Sequence, residues 1–465
     1  MSIINERIIG SESELAIDII PFQGQSSPPN LVASIIGHLP TVIKTYPGRG
    51  FTNDYFLSTG GKIYKDREFL ESCSPESRGA EEATYTEIIS KKIVLDSLRR
   101  MREENQIKDF RIIDRVIDDS LNTWGYHNNF LVKREDFNLK ESSNRSNTLI
   151  NLLLNHFTSR VVFNGAGMVR QKPNSPKRFT ILAGQKLQTI ERKVSPGTVK
   201  EKPIINLRDQ ALAQVQFWGR IHDVSGDSNI SPWATWWNKG STSLVLKLHE
   251  NNMTNFLNEL SIHDPVMTSR DFANNPDTLA TMNNNKKFRA IDIQEILYTQ
   301  SHKMSQHIEL PPSELEVLEQ WGKAINDYRK DPSYLKDRVD WILKAYIIKE
   351  KELDFKKAKL IDLEFGNLDS KLVELIWQKN IFPEFNKNTL SEYYYFPPSD
   401  TRASRRVDIL GQVKPSVIDY VDWDEISFTD TNNSTTLQIA NLIKMDDPET
   451  NKQKYSDRGV LKKHL

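Results

Sequence analysis

The chain has 465 residues, in which 62 Lys and Arg balance 62 Asp and Glu, so its formal net charge is zero. This balance argues against a nucleic-acid-binding protein, because such binding depends on neutralising phosphates with excess positive charge. The single cysteine, Cys73, excludes an internal disulfide and a metal knuckle built from cysteines alone. No apolar run reaches membrane-spanning length and the N-terminus lacks a signal-peptide pattern, so we expect a cytoplasmic protein.

The first predicted element is a strand that contains two acidic residues. The stretch RIIGSESELAI (residues 7–17) places Glu12 and Glu14 two positions apart between apolar runs. Residues at this spacing point to the same side of a strand. Two like charges so close repel each other unless a cation or water lies between them. On its own, a solvent-exposed strand edge is the simpler interpretation of this pair.

After a short helix within residues 26–43, the sequence DYFLSTGGKIYKD (residues 54–66) predicts a β-hairpin with Gly60 and Gly61 in its turn. The second arm of the hairpin places three functional candidates on one face: Lys62, Tyr64 and Asp66. Further along, three acidic residues recur at five-residue intervals. This interval is the period of neither a strand nor a helix, so we expect the segment to bend around a point. These residues are Asp66, Glu71 and Glu76.

Helical and strand-like patterns alternate through the rest of the chain. Apolar residues at helical spacing predict a long amphipathic helix from Tyr85 to Met101, and a second helix covers Thr148 to Phe163. Beyond Thr180 the stretches FTILA, QTIERKV and STSLVLKL read as strands, and two helical segments follow from residue 311 to about 355. The stretch YYYFPPSDTRASRR (residues 393–406) reads as a boundary loop before a small C-terminal unit. The pattern indicates an α+β protein with helices packed around a large sheet.

Two further polar clusters follow strand-like runs or lie in the predicted boundary loop. The first combines basic, acidic and amide side chains: Arg208, Asp209, His222, Asp227 and Asn229. A lone histidine in such a setting is more often structural than functional. The second cluster is basic, and it is either a solvated turn or an arginine clamp for phosphate: Arg402, Arg405 and Arg406.

The residue types in these clusters favour phosphate chemistry. Several carboxylates without a thiolate or a histidine pair point to Mg²⁺ rather than zinc. Carboxylates for Mg²⁺ together with arginines for phosphate are what phosphoryl transfer from a nucleotide requires. The sequence has neither a GxxxxGK[ST] loop nor the kinase motifs. We therefore expect ATP chemistry on a sheet surface.

Seven blocks of the chain, in order from residue 7 to about residue 423, resemble one known family. The blocks are RIIGSESELAI, GGKIYKDREFLESCSPE, YHNNFLV, PIINLRDQ, RIHDVSGDSN, KGSTSLVL and PPSDTRASRR. They are similar to motifs of the Pup ligases and the related Pup deamidases/depupylases, which are carboxylate–amine ligases with a glutamine-synthetase-like fold. Each block is weak by itself, whereas the ordered set covers nearly the whole chain.

The resemblance implies a fold and a set of site residues. It implies a large, curved, antiparallel-rich sheet with packed helices in a glutamine-synthetase-like catalytic domain (residues 1–400), followed by a small C-terminal domain (residues 401–465). Asp66 takes the place of the catalytic carboxylate. The ligands to Mg²⁺ would be Glu12, Tyr64 and Glu71, with Glu14, Glu76 and His222 as further candidates. The contacts to ATP would come from Lys62, Ser74 and Trp423, with Arg208, Arg402 and Arg406 as further candidates.

The chain departs from the family pattern at several site positions. The replacements are Lys62 for arginine, Ser74 for threonine, Asn128 for glutamate, Gly184-Gln185-Lys186 for Ser-Gln-Arg, and Phe69-Leu70 for His-Pro. The five-residue step from Asp66 to Glu71 matches the depupylases more than the ligases. Too few residues separate Ile17 from Tyr64, however, for the long loop that depupylases carry there.

The absence of that loop favours a ligase. We expect ATP- and Mg²⁺-dependent formation of an amide or isopeptide bond through an acyl phosphate. The expected acyl donor is the C-terminal carboxylate of a Pup-like small protein or peptide, and the expected acceptor is a protein lysine or a small amine, with neither nucleic acid nor membrane as a partner. Two alternatives stay open: a depupylase- or deamidase-like amide hydrolase, and a non-catalytic nucleotide-binding relative.

Overall fold

The structure, a computed structural model, describes residues 6–50, 53–137, 144–172, 175–197, 201–208, 217–378, 387–430 and 433–438. Within these ranges the chain is α+β, with a large and mainly antiparallel sheet packed against helices, which confirms the predicted fold class. Among the helices so described, none is both long and apolar enough to cross a membrane.

The described strands follow one another along the chain with short connections in the N-terminal part. In chain order they are β1 (Ile8–Ile20), β2 (Thr45–Pro47), β3 (Asp54–Leu57), β4 (Lys62–Asp66), β5 (Phe69–Cys73), β6 (Ser77–Arg78), β7 (Asp109–Ile113), β8 (Tyr126–Lys133), β9 (Met168–Lys172), β10 (Ser175–Leu182), β11 (Arg192–Ser195), β12 (Pro203–Asn206), β13 (Trp218–Asp223), β14 (Ala280–Thr281), β15 (Lys287–Phe288), β16 (Ile418–Val421), β17 (Glu425–Asp430) and β18 (Asn433–Gln438).

The helices are concentrated in the middle of the chain. In chain order they are α1 (Leu31–Gly37), α2 (Gly79–Glu103), α3 (Asn144–Ser159), α4 (Val161–Asn164), α5 (Pro232–Glu250), α6 (Pro265–Asn274), α7 (Ala290–Ser305), α8 (Pro312–Lys330), α9 (Asp340–Glu350), α10 (Phe355–Glu364), α11 (Lys371–Gln378), α12 (Lys387–Tyr393) and α13 (Arg402–Gln412). Short 3₁₀ helices cover Lys186–Thr189, Asn255–Asn258, Pro332–Leu335 and Pro415–Val417.

The large sheet has the strand order β11-β12-β13-β8-β1-β5-β4-β3-β2, and β6 and β7 also pair with β1. The described pairings along this path are antiparallel except for β11 with β12. The long strand β1 therefore lies at the centre of the sheet, and the residues that it carries are close to those of both β5 and β8.

One face of the sheet is covered by helices and the other is open. Along β1 the residues Ile9, Ser11, Ser13 and Leu15 are buried, whereas the alternating residues, which include Glu12 and Glu14, are partly exposed. Helix α2 packs against β1 and α5 on the buried side. The period of two in β1 thus separates an apolar face, directed to the core, from an open face that carries charge.

Helix α2 confirms the predicted amphipathic helix, although it begins and ends beyond the predicted bounds. The apolar residues Tyr85, Ile89, Ile93 and Leu98 are buried at helical spacing. Acidic residues in the first turn and basic residues in the last turn, among them Arg102, suit the helix dipole. The predicted helix from residue 148 to 163 is likewise present as α3 and α4, and α3 begins at Asn144.

Two sequence-based assignments are wrong. The stretch STSLVLKL lies within α5 and is not a strand, because α5 is buried on all sides and its sequence shows no apolar–polar alternation. The basic stretch at residues 402–406 is the first turn of α13 and is not a loop. The hydroxyl of Thr401 caps that helix by accepting a hydrogen bond from the backbone N–H of Ser404.

The C-terminal unit packs against the edge of the large sheet. Residues Ile409, Val421 and Phe428 share a hydrophobic cluster with Tyr46 and Phe56 of β2 and β3. The backbone N–H of Arg49 also donates to the carbonyl of Val421. The predicted boundary between two domains at residue 400 therefore stays a prediction. Through this contact with β2 and β3, the C-terminal unit extends to the open face of the sheet.

Candidate active site

Strand register gathers the predicted acidic residues on the open face. Glu14 of β1 lies directly opposite Glu71 of β5, and Glu71 in turn lies opposite Tyr64 of β4. One step along, Glu12 and Lys62 both lie opposite Cys73. Residues directly opposite in antiparallel strands are on the same side of the sheet. Glu12 and Glu14 therefore lie on the same face of the sheet, as their i, i+2 spacing predicted.

Three carboxylates form what we call the carboxylate cluster: Glu14, Asp66 and Glu71. One oxygen from each lies within 4.8 Å of the others. The β4–β5 hairpin brings Asp66 and Glu71 together, although five positions separate them in the sequence. A carboxylate oxygen of Glu14 also accepts a hydrogen bond of 2.7 Å from the backbone N–H of Gly125. The catalytic candidate Asp66 thus lies beside two predicted metal ligands.

A second group, the histidine cluster, consists of Glu12, His127 and His222, whose potential ligand atoms also lie within 4.8 Å of one another. Nδ1 of His127 is 3.1 Å from Oε2 of Glu12, and Nε2 of His222 is 3.8 Å from the same oxygen. The other oxygen of Glu12 accepts a hydrogen bond of 2.9 Å from the side-chain amide of Asn129. The predicted candidate His222 therefore does lie with Glu12.

Burial and mutual repulsion make the carboxylate cluster hard to ionise fully. Burial raises the pKa of Glu71 well above its usual range, and the charges of Glu12, Glu14 and Asp66 raise it further, although a hydrogen bond from Tyr64 opposes this. Burial also raises the pKa of Tyr64, so its phenol is protonated at neutral pH in this environment. A cation at this point would remove the cost of placing these acids together.

The histidine cluster has the opposite electrostatics. Burial acts to raise the pKa of Glu12, but the hydrogen bond with His127 and the charge of Arg220 help to hold it below its usual range. Burial lowers the pKa of His222 well below the usual range, so its imidazole is neutral. An ionised carboxylate and a neutral imidazole are the protonation states in which these groups coordinate metals.

The donors present fit a divalent cation. Both ring nitrogens of the buried His222 lack a hydrogen-bond partner among the described residues. A buried polar atom without a partner is costly, and coordination to a cation is one way to satisfy it. Carboxylate oxygens suit Mg²⁺ and Mn²⁺, whereas imidazole nitrogens more often bind transition-metal ions. The histidine pair beside Glu12 therefore removes one of the reasons given above for preferring Mg²⁺ to zinc. The site therefore offers ligands for a cation at Glu12 and at Glu71.

A cleft opens on the same face next to Glu12. It is lined by Ile8, Gly10, Ser11, Glu12, Cys73, Ser74, Glu76, Asn129, Phe130, Leu131, Arg220, Arg402 and Trp423. Three predicted nucleotide contacts, Ser74, Arg402 and Trp423, are therefore on its walls. The ring of Trp423 meets the edge of Phe56, with 5.1 Å between the centroids. Apolar residues such as Ile8 and Trp423 could contact a base, and charged residues such as Arg220 and Arg402 could contact phosphates.

Glu76 is engaged by two arginines, and its predicted role as a metal ligand stays a prediction. Glu76 forms ion pairs with Arg402 at 3.0 Å and with Arg406 at 2.8 Å, and it belongs to neither acidic cluster among the described residues. Burial acts to raise the pKa of Glu76, but these arginines outweigh it and hold the pKa below the usual range. Glu76 therefore fixes the arginines that border the cleft.

Arg406 also differs from its predicted role as a contact to ATP. Only 1% of its side chain is exposed, and its guanidinium donates to Glu76 and to the backbone carbonyls of Gly60 and Trp423. It also lies over the rings of Phe56 and Trp423. Arg406 is thus a positioning residue that ties α13 to the wall of the cleft.

The remaining candidates lie in more varied positions. Lys62 forms an ion pair with Asp54 at 3.0 Å on the open face, next to Tyr64. Arg208 is exposed at the end of a described range, and Asp209 lies outside the described residues. Asn128, where the family has a glutamate, points to the buried face and accepts a hydrogen bond from Ser11, so its replacement removes no charge from the open face.

Sequence reasoning missed His127, Asn129 and Arg220, which lie around Glu12. The alternation in YHNNFLVK and WGRIHD was the available signal, because buried residues such as Phe130 and Ile221 alternate there with polar ones. The pairing of β8 with β1 and of β13 with β8 places these polar residues beside Glu12. A pairing of distant strands is not visible in the local pattern.

The fold and the site together indicate an α+β enzyme of the class of ligases that use a nucleotide. The family model described as Pup-ligase protein matches residues 7–427. A Pup–protein ligase of Acidimicrobium ferrooxidans is 26% identical, with 97% of this chain and 98% of that protein covered. One of Rhodococcus erythropolis is 24% identical, with 93% and 96% covered. This chain belongs to the Pup-ligase family and is an ATP-dependent ligase.

Solved structures support the same fold. A structure of the complex between Pup and its ligase PafA superposes with a TM-score of 0.78 at 19% identity, and it covers 98% of this chain and 93% of that chain. A structure of the Pup ligase PafA in complex with ADP gives a TM-score of 0.72 at 20% identity, with 88% and 91% covered. At these identities the comparison establishes the shared fold.

Proposed function

We propose that this chain uses Mg·ATP to join the C-terminal carboxylate of a Pup-like protein or peptide to a lysine amine. The observation that carries the proposal is the convergence of Glu12, Tyr64, Glu71 and Asp66 on one open sheet face. The relatives are Pup–protein ligases, and one of the similar structures contains Pup. The site and the relatives thus support the same reaction.

The cleft is the proposed place for the nucleotide. Gly10 and Trp423 on its walls would contact the base, and Arg402 and Ser74 would approach the phosphates. Because Glu12 also lines the cleft, the γ-phosphate would lie near Glu12, on the side of the carboxylate cluster. A similar structure contains ADP, which agrees with a nucleotide site in this fold.

Glu12, Tyr64 and Glu71 are the proposed ligands for Mg²⁺, and His127, His222 and Glu14 would complete the coordination. Bound magnesium would supply positive charge to offset the charge on the phosphates during transfer. The chain's own contribution is to hold these donors in register on adjacent strands. The lowered pKa of Glu12 keeps one donor ionised at neutral pH.

The reaction proceeds in two steps. An oxygen of the donor carboxylate attacks the γ-phosphorus, an acyl O–P bond forms, the bond to the bridging oxygen breaks, and ADP leaves. The acceptor amine then attacks the acyl carbon, the C–N bond forms, and inorganic phosphate leaves with the former carboxylate oxygen. A lysine amine is mostly protonated at neutral pH. Asp66 orients this amine and takes up its proton.

The test uses the full chain with ATP, Mg²⁺, a synthetic peptide that ends in glutamate, and a lysine-containing acceptor. We expect repeated turnover of ATP to ADP only when donor and acceptor are both present, together with a new isopeptide bond detected by mass spectrometry. Cleavage of a preformed isopeptide with ATP merely bound would instead indicate a hydrolase, and failure to bind ATP would indicate a non-catalytic relative.

A matched pair of variants links the reaction to the site. Glu71→Gln removes one carboxylate from the carboxylate cluster, whereas Glu68→Gln changes an exposed residue in the turn between β4 and β5. We expect Glu71→Gln to lose most of the ligation rate and Glu68→Gln to retain it. Equal rates in both variants would contradict the proposed site.

A further inference from the structure

Two aromatic rings form a wall at the end of the open face that lies beyond Asp66. The rings of Phe69 and Trp124 are stacked, with 5.4 Å between the centroids and 21° between the planes. Both residues are partly exposed to solvent, although the neighbouring strands carry buried residues. We call this pair the aromatic wall.

The aromatic wall adjoins the carboxylate cluster on two sides. Phe69 lies directly opposite Asp66 across the β4–β5 hairpin, so the two side chains share a face. Trp124 immediately precedes Gly125, whose backbone N–H donates to Glu14 and whose carbonyl accepts from the backbone N–H of Glu14. An apolar surface therefore ends where three carboxylate oxygens meet.

The wall is held from behind by main-chain contacts. The ammonium of Lys186 donates to the carbonyl of Trp124 at 2.6 Å. The backbone N–H groups of Gln185 and Lys186 in turn donate to the buried carboxylate of Asp227, at 2.8 and 2.7 Å. These contacts fix the backbone at Trp124 and leave its ring directed to Phe69.

We propose that Phe69 and Trp124 form the binding site for the methylene chain of the acceptor amine and deliver its nitrogen to Asp66. This inference rests on the proposed ligase function. The nucleotide cleft lies on the Glu12 side of the carboxylate cluster, whereas the aromatic wall lies on the Asp66 side. The two reactants thus reach the cluster from opposite ends.

The chemistry of a primary alkylamine matches this surface. A lysine side chain has an apolar stem that packs on aromatic rings and a cationic end that carboxylates attract. The wall supplies the rings and the carboxylate cluster supplies the negative charge. A small nucleophile such as hydroxylamine has no stem, so it gains nothing from the aromatic rings.

The test compares two nucleophiles in the same enzyme. The full chain is incubated with Mg·ATP and a peptide that ends in glutamate, and either Nα-acetyl-lysine amide or hydroxylamine is added. The variants are Phe69→Ala, Phe69→Leu and Trp124→Ala, with Phe69→Tyr as the conservative variant. Tyr334→Ala is the control, because Tyr334 is an aromatic residue with 57% exposure on a separate 3₁₀ helix.

For Phe69→Ala and Trp124→Ala we expect kcat/KM for the lysine acceptor to fall by about tenfold or more, which is the scale of losing apolar and cation–π contacts with the stem. Hydroxamate formation and the KM for ATP should stay within about twofold of the wild type. Phe69→Tyr and Tyr334→Ala should behave like the wild type. Phe69→Leu, which keeps apolar volume without a ring, should lie between.

Three outcomes would overturn the inference: equal losses with both nucleophiles, an altered KM for the donor peptide alone, or no loss at all. Thermal unfolding of each variant identifies one that has not folded, and Phe69→Leu then carries the comparison. Wild-type enzyme that joins the donor peptide to neither nucleophile would contradict the proposed ligase function itself. The two failures are therefore distinguishable.

Discussion

Nδ1 of His127 lies 3.1 Å from Oε2 of Glu12, although 115 positions separate the two residues in the chain. The contact results from the direct pairing of β1 with β8, which places these residues opposite each other. The contact joins the imidazole of His127 to the carboxylate of Glu12, which was predicted from sequence alone to bind magnesium. The side chains that could hold a cation thus extend across the centre of the sheet.

His127→Ala should weaken metal binding without unfolding the protein. We expect the apparent affinity for Mn²⁺ in the presence of ADP to fall by about 10- to 100-fold, which is typical of losing a partner at a metal site. His263→Ala is the control, since His263 is an exposed residue near β14. Titration calorimetry measures the change, and an unaltered Mn²⁺ affinity in His127→Ala would remove the histidine from the cation site.

Asp66→Asn should leave nucleotide binding intact and slow ligation to lysine. We expect kcat to fall by about 10²- to 10⁴-fold, the usual contribution of a general base. Because the base is needed to remove a proton from the amine, the rate of the variant should rise steadily as pH approaches the lysine pKa. Rate measurements from pH 7 to 10 test this, and a variant with wild-type activity at pH 7 would exclude Asp66 from proton transfer.

Gly10→Val should block the nucleotide cleft. Gly10 lies on the cleft face of β1, and a Cβ placed there has nothing within 4 Å. Valine also suits a strand, so the folded state should tolerate it. We expect ADP affinity to fall by more than about tenfold, because a side chain would fill space that the ligand needs.

Gly411→Ala serves as the control for Gly10→Val, since a Cβ at Gly411 also has nothing within 4 Å and this residue lies on α13. Thermal unfolding should show similar stability for both variants. Unchanged ADP affinity in a folded Gly10→Val protein would place the nucleotide elsewhere.

Glu76→Gln should destabilise the fold. The substitution removes a carboxylate that pairs with both Arg402 and Arg406, and loss of one member of a buried ion pair costs about 3–5 kcal/mol in free energy of unfolding. Glu319→Gln, which removes an exposed partner of Lys323, should cost less than about 1 kcal/mol. Denaturant unfolding measures the free energy of unfolding of both variants. Equal and small losses of stability would show that solvent stabilises the two arginines once the carboxylate of Glu76 is removed.

The pH dependence of this ion pair has a definite sign. The pKa of Glu76 is lower in the folded state than in the unfolded chain because Arg406 and Arg402 outweigh the effect of burial. The stabilisation is therefore complete above the ordinary carboxyl pKa and is lost as pH falls through the folded-state pKa. Glu76→Gln should remove this contribution to acid unfolding.

Sequence pattern predicted those parts of the site that depend on local geometry. The i, i+2 spacing of Glu12 and Glu14, and the shared face of Tyr64 and Asp66, follow from the period of a strand, and the structure has both. The resemblance to a family contributed the roles of these residues. Neither source indicated His127, because its distance from Glu12 is set by the pairing of strands that are far apart in sequence.

The errors have physical causes of the same kind. Helix α5 was missed at STSLVLKL because complete burial removes the periodic pattern from which a helix is recognised. The ion pairs of Glu76 were not predicted because the sequence shows its charge and not its partners, Arg402 and Arg406, which approach from α13 more than 300 positions away. Tertiary contacts determined both outcomes.

The central claim is that Glu12, Tyr64 and Glu71 hold a divalent cation that presents ATP to Asp66. Anomalous diffraction from crystals grown with Mn²⁺ and ADP tests this claim most directly. We predict a manganese peak with oxygens of Glu12 and Glu71 at roughly 2 Å, close to the distance of octahedral Mg²⁺ from its ligands, and ADP in the cleft beside Trp423. A metal peak away from Glu12 and Glu71, with ADP bound, would contradict it.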